Sequence, residues 1–342
     1  MRTGLVRRFS VILPAIIGLA VICWLFYHEF NPELFHELHF SVRMCAGLLL
    51  ACLFMAGRDG GQMYRFRLLS DRELSWKQAF RVNMLCEFTS AATPSAVGGS
   101  SLIILFLNRE GINAGKSTAL MMACLFLDEL FLTLVCPLLL LFVPLGEVFG
   151  PVTAFASGVR MLFWVVYACI ALWTLILFIA LFRKPEVIKR LLLKLFALRW
   201  LRKWKHGVEG LADNLVLSSH ELRKRSGMFW WRAFGATCLS WISRYLVVNA
   251  LLIAFTTVEH HFLAFARQLV LWIVMVISPT PGGSGIAEYM FKVYYADFFS
   301  VAGMALVVAF VWRVITFYLY LVIGAVILPK WIGNLIKLRI ES

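Results

Sequence analysis

Apolar runs of about 20 residues recur along this chain, the length that crosses a hydrocarbon layer about 30 Å thick. No other feature constrains the fold as much. Of 342 residues, 61% are hydrophobic, above the roughly 45–50% of a soluble domain. A surface of that composition must meet lipid. The chain therefore reads as an all-α polytopic membrane protein, a single integral membrane domain over 1–342.

The formal charge is +14. Lys and Arg collect in cytoplasmic loops of membrane proteins, and that rule accounts for the excess without nucleic acid. Eight cysteines all lie in or beside apolar segments and form no CxxC pair. They read as small apolar packing residues, not as a disulfide frame or a zinc site. The histidines and acids of 28–39 and 259–261 show no repeated ligand spacing, so no metal or other cofactor is expected.

Loop charges set the expected topology. A first helix over Phe9–Tyr27 follows a basic start and lacks a cleavage site, so it reads as retained. A second helix covers Val42–Ala56 and leads into a cytoplasmic loop with Arg58, Arg65, Arg67, Arg72, Lys77 and Arg81. Further spans are expected over Ser117–Val143, Met161–Phe182, Trp230–Phe255 and Val301–Leu328, with both termini cytoplasmic in a bacterial inner membrane. The segment 183–228 is dense in Lys and Arg, with Leu191, Leu192, Leu195, Phe196 and Leu198 at helical spacing. That pattern fits an amphipathic helix on the anionic leaflet.

Two apolar stretches are broken. Thr93-Pro94-Ser95-Ala96-Val97-Gly98-Gly99-Ser100 interrupts one, and Ser278-Pro279-Thr280-Pro281-Gly282-Gly283-Ser284-Gly285 the other. Pro removes a helix hydrogen bond and Gly weakens helix. Each flank is too short to span, so both read as re-entrant hairpins. Such backbone is tolerated only inside protein or beside a wet cavity. The charge rule opens the first hairpin to the cytoplasm and the second to the outside. Six spanning helices plus two Pro/Gly-broken hairpins then form an inverted repeat, 1–150 and 151–342, on the plan that transporters use.

Glu87, Asp128, Glu129, Arg244, Arg267, Glu288, Lys292 and Arg313 fall inside apolar stretches, where charges must face each other or water. The simplest pairing sets Asp128 and Glu129 against Arg313 or Arg244. Glu288, one turn past Gly285, either caps its half-helix or joins Arg313 around a headgroup. Free amides after the glycine run, together with Arg313, would suit a phosphate. The candidate substrate-binding set is Glu87, Pro94, Gly98, Gly99, Asp128, Glu129, Arg244, Pro281, Gly282, Gly283, Gly285, Glu288 and Arg313. No GxSxG, HExxH or Walker motif is present.

Pro281-Gly282-Gly283-Ser284-Gly285-Ile286-Ala287-Glu288 and Val311-Trp312-Arg313-Val314-Ile315-Thr316-Phe317-Tyr318 resemble motifs of a known family. So do Thr93-Pro94 with Gly98-Gly99, followed by Asn108-Arg109-Glu110-Gly111. The family is the lysylphosphatidylglycerol synthase transmembrane-region family of flippase-like membrane proteins. Asp128-Glu129 departs from it, where an acid–arginine combination is expected. The resemblance implies movement or presentation of a phospholipid or lipid-linked intermediate. The fused aminoacyl-transferase domain of some members is not expected here. Two other functions stay open: a membrane-embedded transferase on a lipid-linked substrate, and an assembly partner of a neighbouring enzyme or a homo-oligomer.

Overall fold

The structure, a computed structural model, describes residues 41–93, 97–149, 154–197, 222–257, 260–301 and 303–340, with a few positions between 209 and 220. The expected first helix over Phe9–Tyr27, Pro94, Ser95 and Glu259 lie outside the described residues.

The described chain is helical. The elements are α1 (Val42–Leu69), α2 (Trp76–Ala92), α3 (Val97–Arg109), α4 (Ala114–Phe142), α5 (Leu145–Phe149), α6 (Ala154–Phe178), α7 (Pro185–Leu195), α8 (Gly227–Phe255), α9 (His261–Met275), α10 (Ile286–Tyr295), α11 (Met304–Arg313) and α12 (Leu319–Ile340). Single π-turns close α6 at Ile179–Arg183 and join α11 to α12 at Val314–Tyr318. Among the described residues, four stretches are long and apolar enough to cross a membrane: Gly115–Phe142, Ser157–Arg183, Gly227–Phe255 and Met304–Pro329.

α1 corrects the expected boundary. It runs through Arg58, Arg65 and Arg67 to Leu69 instead of ending at Ala56. The physical reason is that Arg58 and Arg65 find carboxylates inside the bundle, so the helix can carry them into an apolar setting. Small residues bring α1 against α8. A Cβ on Gly61 would stand 2.8 Å from the Ala236 carbonyl oxygen, and one on Gly47 would stand 2.7 Å from the Ala254 Cβ. Close backbone approach through small residues is the usual way helices associate where no water drives them together.

Side-chain locks define the two ends of the bundle. At the first end, Arg81 pairs with Glu110 at 2.6 Å and Trp331 donates to Glu110 at 3.1 Å. Asp71 there takes Lys116 at 2.9 Å and Arg225 at 2.6 Å. The start of α2 and the end of α3 therefore share this end. Ser75 caps α2 in a reciprocal pairing with Gln78, which fixes where that helix begins.

At the second end, Arg43 donates to the carbonyls of Ile253 and Thr256, at 2.8 and 2.6 Å. Arg267, 4% exposed, donates to the carbonyls of Glu147 and Tyr294 and pairs with Asp297. The start of α9 and the end of α10 thus meet there. The broken hairpins α2–α3 and α9–α10 approach from opposite ends of the bundle. Their tips meet in the middle, where the Gly282 N–H donates to the Thr93 carbonyl at 3.3 Å.

The apolar core fills the space around them. Phe131, Tyr245, Val248, Leu271 and Phe291 centre one cluster. Leu85, Leu107, Leu120 and Leu127 centre another under the first hairpin.

Candidate functional site

A cavity of about 330 Å³ lies at the meeting of the two helix breaks. It is walled by α1, α2, α4, α8 and α9, by the second break, and by the π-turn after Arg313. π-turns of this kind are frequent at functional sites.

Three arginines, each held by one or two carboxylates, build the wall. Arg58, 1% exposed, pairs with Glu87 and with Asp59, the latter at 3.0 Å. Asp59 is further held by the Tyr320 hydroxyl at 2.6 Å and the Asn83 amide at 3.1 Å. Arg65 donates twice to Asp128, at 2.5 and 3.1 Å, and the Trp241 indole N–H adds a third bond at 2.8 Å. Arg313 donates from Nε to Glu288 at 2.7 Å and from its terminal nitrogen to the Gly282 carbonyl at 3.1 Å. The other Glu288 oxygen accepts the Gly285 N–H at 2.6 Å. Breaking a buried pair by removing one partner costs about 3–5 kcal/mol, because the survivor is left uncompensated.

These contacts revise the expected pairing. Asp128 is held by Arg65, not by Arg313 or Arg244. Arg313 and Glu288 satisfy each other, with Glu288 fully buried. The Gly285 amide is not free for phosphate, because Glu288 takes it. The pair holds the second break in shape. Gly282, Gly283 and Gly285 all have positive φ, at 56°, 70° and 85°, which glycine adopts without strain.

Two charged groups remain outside these pairs. Arg244 makes no hydrogen bond or ion pair among the described residues. Its guanidinium lies 4.1 Å from the centre of the Trp272 ring and 5.9 Å from that of Trp241. Glu129 has a buried oxygen without a hydrogen-bond partner. Both line the cavity. An unmatched charge at the middle of a membrane helix costs about 2.5–3.5 kcal/mol on insertion scales. A ligand that met these groups would relieve that cost.

Of the residues selected from sequence, Glu87, Asp128, Glu129, Arg244, Gly282, Gly283 and Arg313 line the cavity. Gly285 and Glu288 stand behind it as supports. Pro281 precedes the glycine turn without lining the cavity. Gly98 and Gly99 open the first turn of α3. Arg267 belongs to the lock at the second end, and Lys292 lies on α10 away from the cavity. The structure adds Arg58, Arg65, Trp241, Trp272, Gln268 and Tyr320.

The family model described as the lysylphosphatidylglycerol synthase TM region matches residues 11–324. The chain belongs to this family. It is also similar to a UPF0104 membrane protein of Archaeoglobus fulgidus, 24% identical over 278 residues, covering 77% of this chain and 79% of that one. The family and the apolar helices together make this a multi-pass integral membrane protein.

Proposed function

We propose that the protein is a translocator of phospholipids or lipid-linked intermediates, and that the cavity between the helix breaks receives the polar headgroup. One observation carries the reading: Arg244 faces this cavity with no carboxylate at hydrogen-bond distance among the described residues. A guanidinium backed by an indole face is a fork-shaped donor for a phosphate or pyrophosphate. The acyl or prenyl chains stay in the bilayer while the headgroup crosses between the breaks.

In this reading the α2–α3 and α9–α10 hairpins are re-entrant, and 1–150 and 151–342 are inverted halves with six spans between them. Their approach from opposite ends supports that plan. The first end, with Arg67, Arg72, Lys77, Arg81 and Arg109, is cytoplasmic by the charge rule, as are both termini. The amphipathic helix α7, with Leu191 exposed, rests on the anionic leaflet together with the rest of 183–228.

The test is a lipid-movement assay in vesicles reconstituted with the full chain, using fluorescent lipids across a panel of headgroups. Wild-type protein should move at least one phosphate-bearing lipid between leaflets. Arg244→Ala should remove most of that movement while the melting temperature in detergent stays unchanged. Equal movement by a folded Arg244→Ala protein would show that the cavity is not the headgroup site.

A further inference from the structure

Once the ion pairs are assigned, the three carboxylates that line the cavity differ. Glu87 is answered by Arg58, and Asp128 by Arg65. Among the described residues Glu129 has no cation at salt-bridge distance, and one of its oxygens is buried without a donor. We infer that Glu129 takes up a proton when an anion occupies Arg244, so that headgroup binding and protonation are coupled. The inference rests on the cavity being a headgroup site.

The argument is electrostatic. Arg244 is the one cavity cation without a carboxylate at hydrogen-bond distance among the described residues, so it offsets negative charge only through space, most directly that of Glu87, which Arg58 also holds. A phosphate that binds it cancels that offset and adds its own charge. Arg244 and Glu129 line the same cavity, and charges that share a partly buried site are screened much less than charges in water. A like charge arriving there disfavours the ionised carboxylate. The proton passes from cavity water to a Glu129 oxygen. No bond in the ligand changes.

The surrounding groups leave Glu129 as the one that responds. On α1, Asp59 is committed to Arg58, and on α10, Glu288 is committed to Arg313. On α3, Arg109 is permanently charged. Tyr167 on α6, Tyr245 on α8, Tyr320 on α12 and the thiols Cys86, Cys124, Cys136 and Cys238 ordinarily titrate above about pH 8. On α9, His261 stands at the second end, where its neighbour Phe262 packs on Phe142 of α4, more than three helical turns from Glu129.

Such coupling is reciprocal: the anion raises proton occupancy, and low pH tightens the anion. A proton gradient would then bias the side on which the headgroup is released.

The experiment is calorimetric titration of the purified full chain with a short-chain phosphatidylglycerol, across pH 5 to 8.5 and in two buffers of different ionisation enthalpy. Wild type should take up protons on binding around and above neutral pH, at most one per ligand. Its affinity should weaken by up to about tenfold per pH unit, the limit for a single linked proton. Glu129→Gln should bind with no proton uptake and a flat pH profile, and Glu129→Asp should keep the uptake with a displaced midpoint. Wild-type binding without proton uptake overturns the coupling but leaves the headgroup site standing, and so does uptake that persists in Glu129→Gln. Absence of binding at every pH removes both. Should Glu129→Gln not fold, the wild-type proton count and Glu129→Asp decide.

Discussion

The Gly282 N–H and the Thr93 carbonyl form a 3.3 Å hydrogen bond between two helix breaks that arrive from opposite ends of the bundle. Each break frees backbone groups that hydrocarbon cannot satisfy. Joining the breaks lets each satisfy part of the other, and it closes the cavity on that side. Gly282 makes the approach possible. A Cβ there would stand 2.1 Å from the Phe317 ring and 2.9 Å from the Ala91 carbonyl oxygen.

Gly282→Ala should therefore destabilise the protein by about 2–4 kcal/mol, combining a left-handed φ with overpacking. The ring could swing aside, but the Ala91 backbone cannot. Gly60→Ala is the control, since a Cβ on Gly60 meets nothing within 4 Å. It should be neutral or stabilising by up to about 1 kcal/mol, the helix propensity difference. Thermal unfolding in detergent compares the two. Equal melting temperatures would mean the breaks are not packed as described.

The Glu288–Arg313 pair makes a separate prediction. Arg313→Ala should cost about 3–5 kcal/mol, because Glu288 would be left buried and uncompensated. The double variant Glu288→Ala with Arg313→Ala should cost less than the sum of the singles. Equilibrium unfolding of the four proteins gives the coupling energy directly. Additive losses would show that the two residues do not support the turn together.

Much of this was legible in the sequence. Composition and run length gave the membrane class, and proline with glycine gave both breaks. The charge rule set the two hairpins in opposed directions; Asp71, Glu110, Arg267 and Asp297 mark opposite ends of the bundle, and the membrane side of each end belongs to the proposal. The partners of the charges were not legible. Loop charges ended the second expected helix at Ala56, yet Gly47, Ala51, Met55, Arg58, Gly61 and Arg65 continue one buried stripe at spacings of three and four. Following that period past Ala56 would have placed both arginines inside. Sequence spacing cannot say which carboxylate each one meets. Arg65 and Asp128 sit on different helices, and only the packing of α1 against α4 and α8 joins them.

Asp71 ties the loop after α1 to the starts of α4 and α8. Partial burial pushes its carboxyl up, and hydrogen bonds from Arg225 and Lys116 outweigh that, leaving it below its ordinary range. A depressed folded value means the tie contributes fully above the ordinary Asp pKa and is lost as pH falls through the depressed value. The contribution is under about 1 kcal/mol, since Asp71 is partly exposed. Hydrogen-exchange protection of the 70–75 loop, taken relative to intrinsic exchange at each pH, should fall below about pH 4, and Asp71→Asn should show the lower protection at neutral pH. A loop indifferent to both would mean solvent screens the tie completely.

Opposed hairpins also fix which loops share a side of the membrane. Glu73, beside Asp71, lies at the first end, and His260, before α9, lies at the second. With the native cysteines replaced, a membrane-impermeant thiol reagent added to intact cells should modify His260→Cys and spare Glu73→Cys until the membrane is opened. The reasoning uses the chain itself: Arg225, just before α8, bonds Asp71, while Thr256, just after α8, bonds the Phe298 carbonyl. α8 is long and apolar enough to cross, so the two loops cannot share a face if it does. Modification of both positions in intact cells would place both hairpins on one side and remove the inverted arrangement on which the proposed translocation path depends.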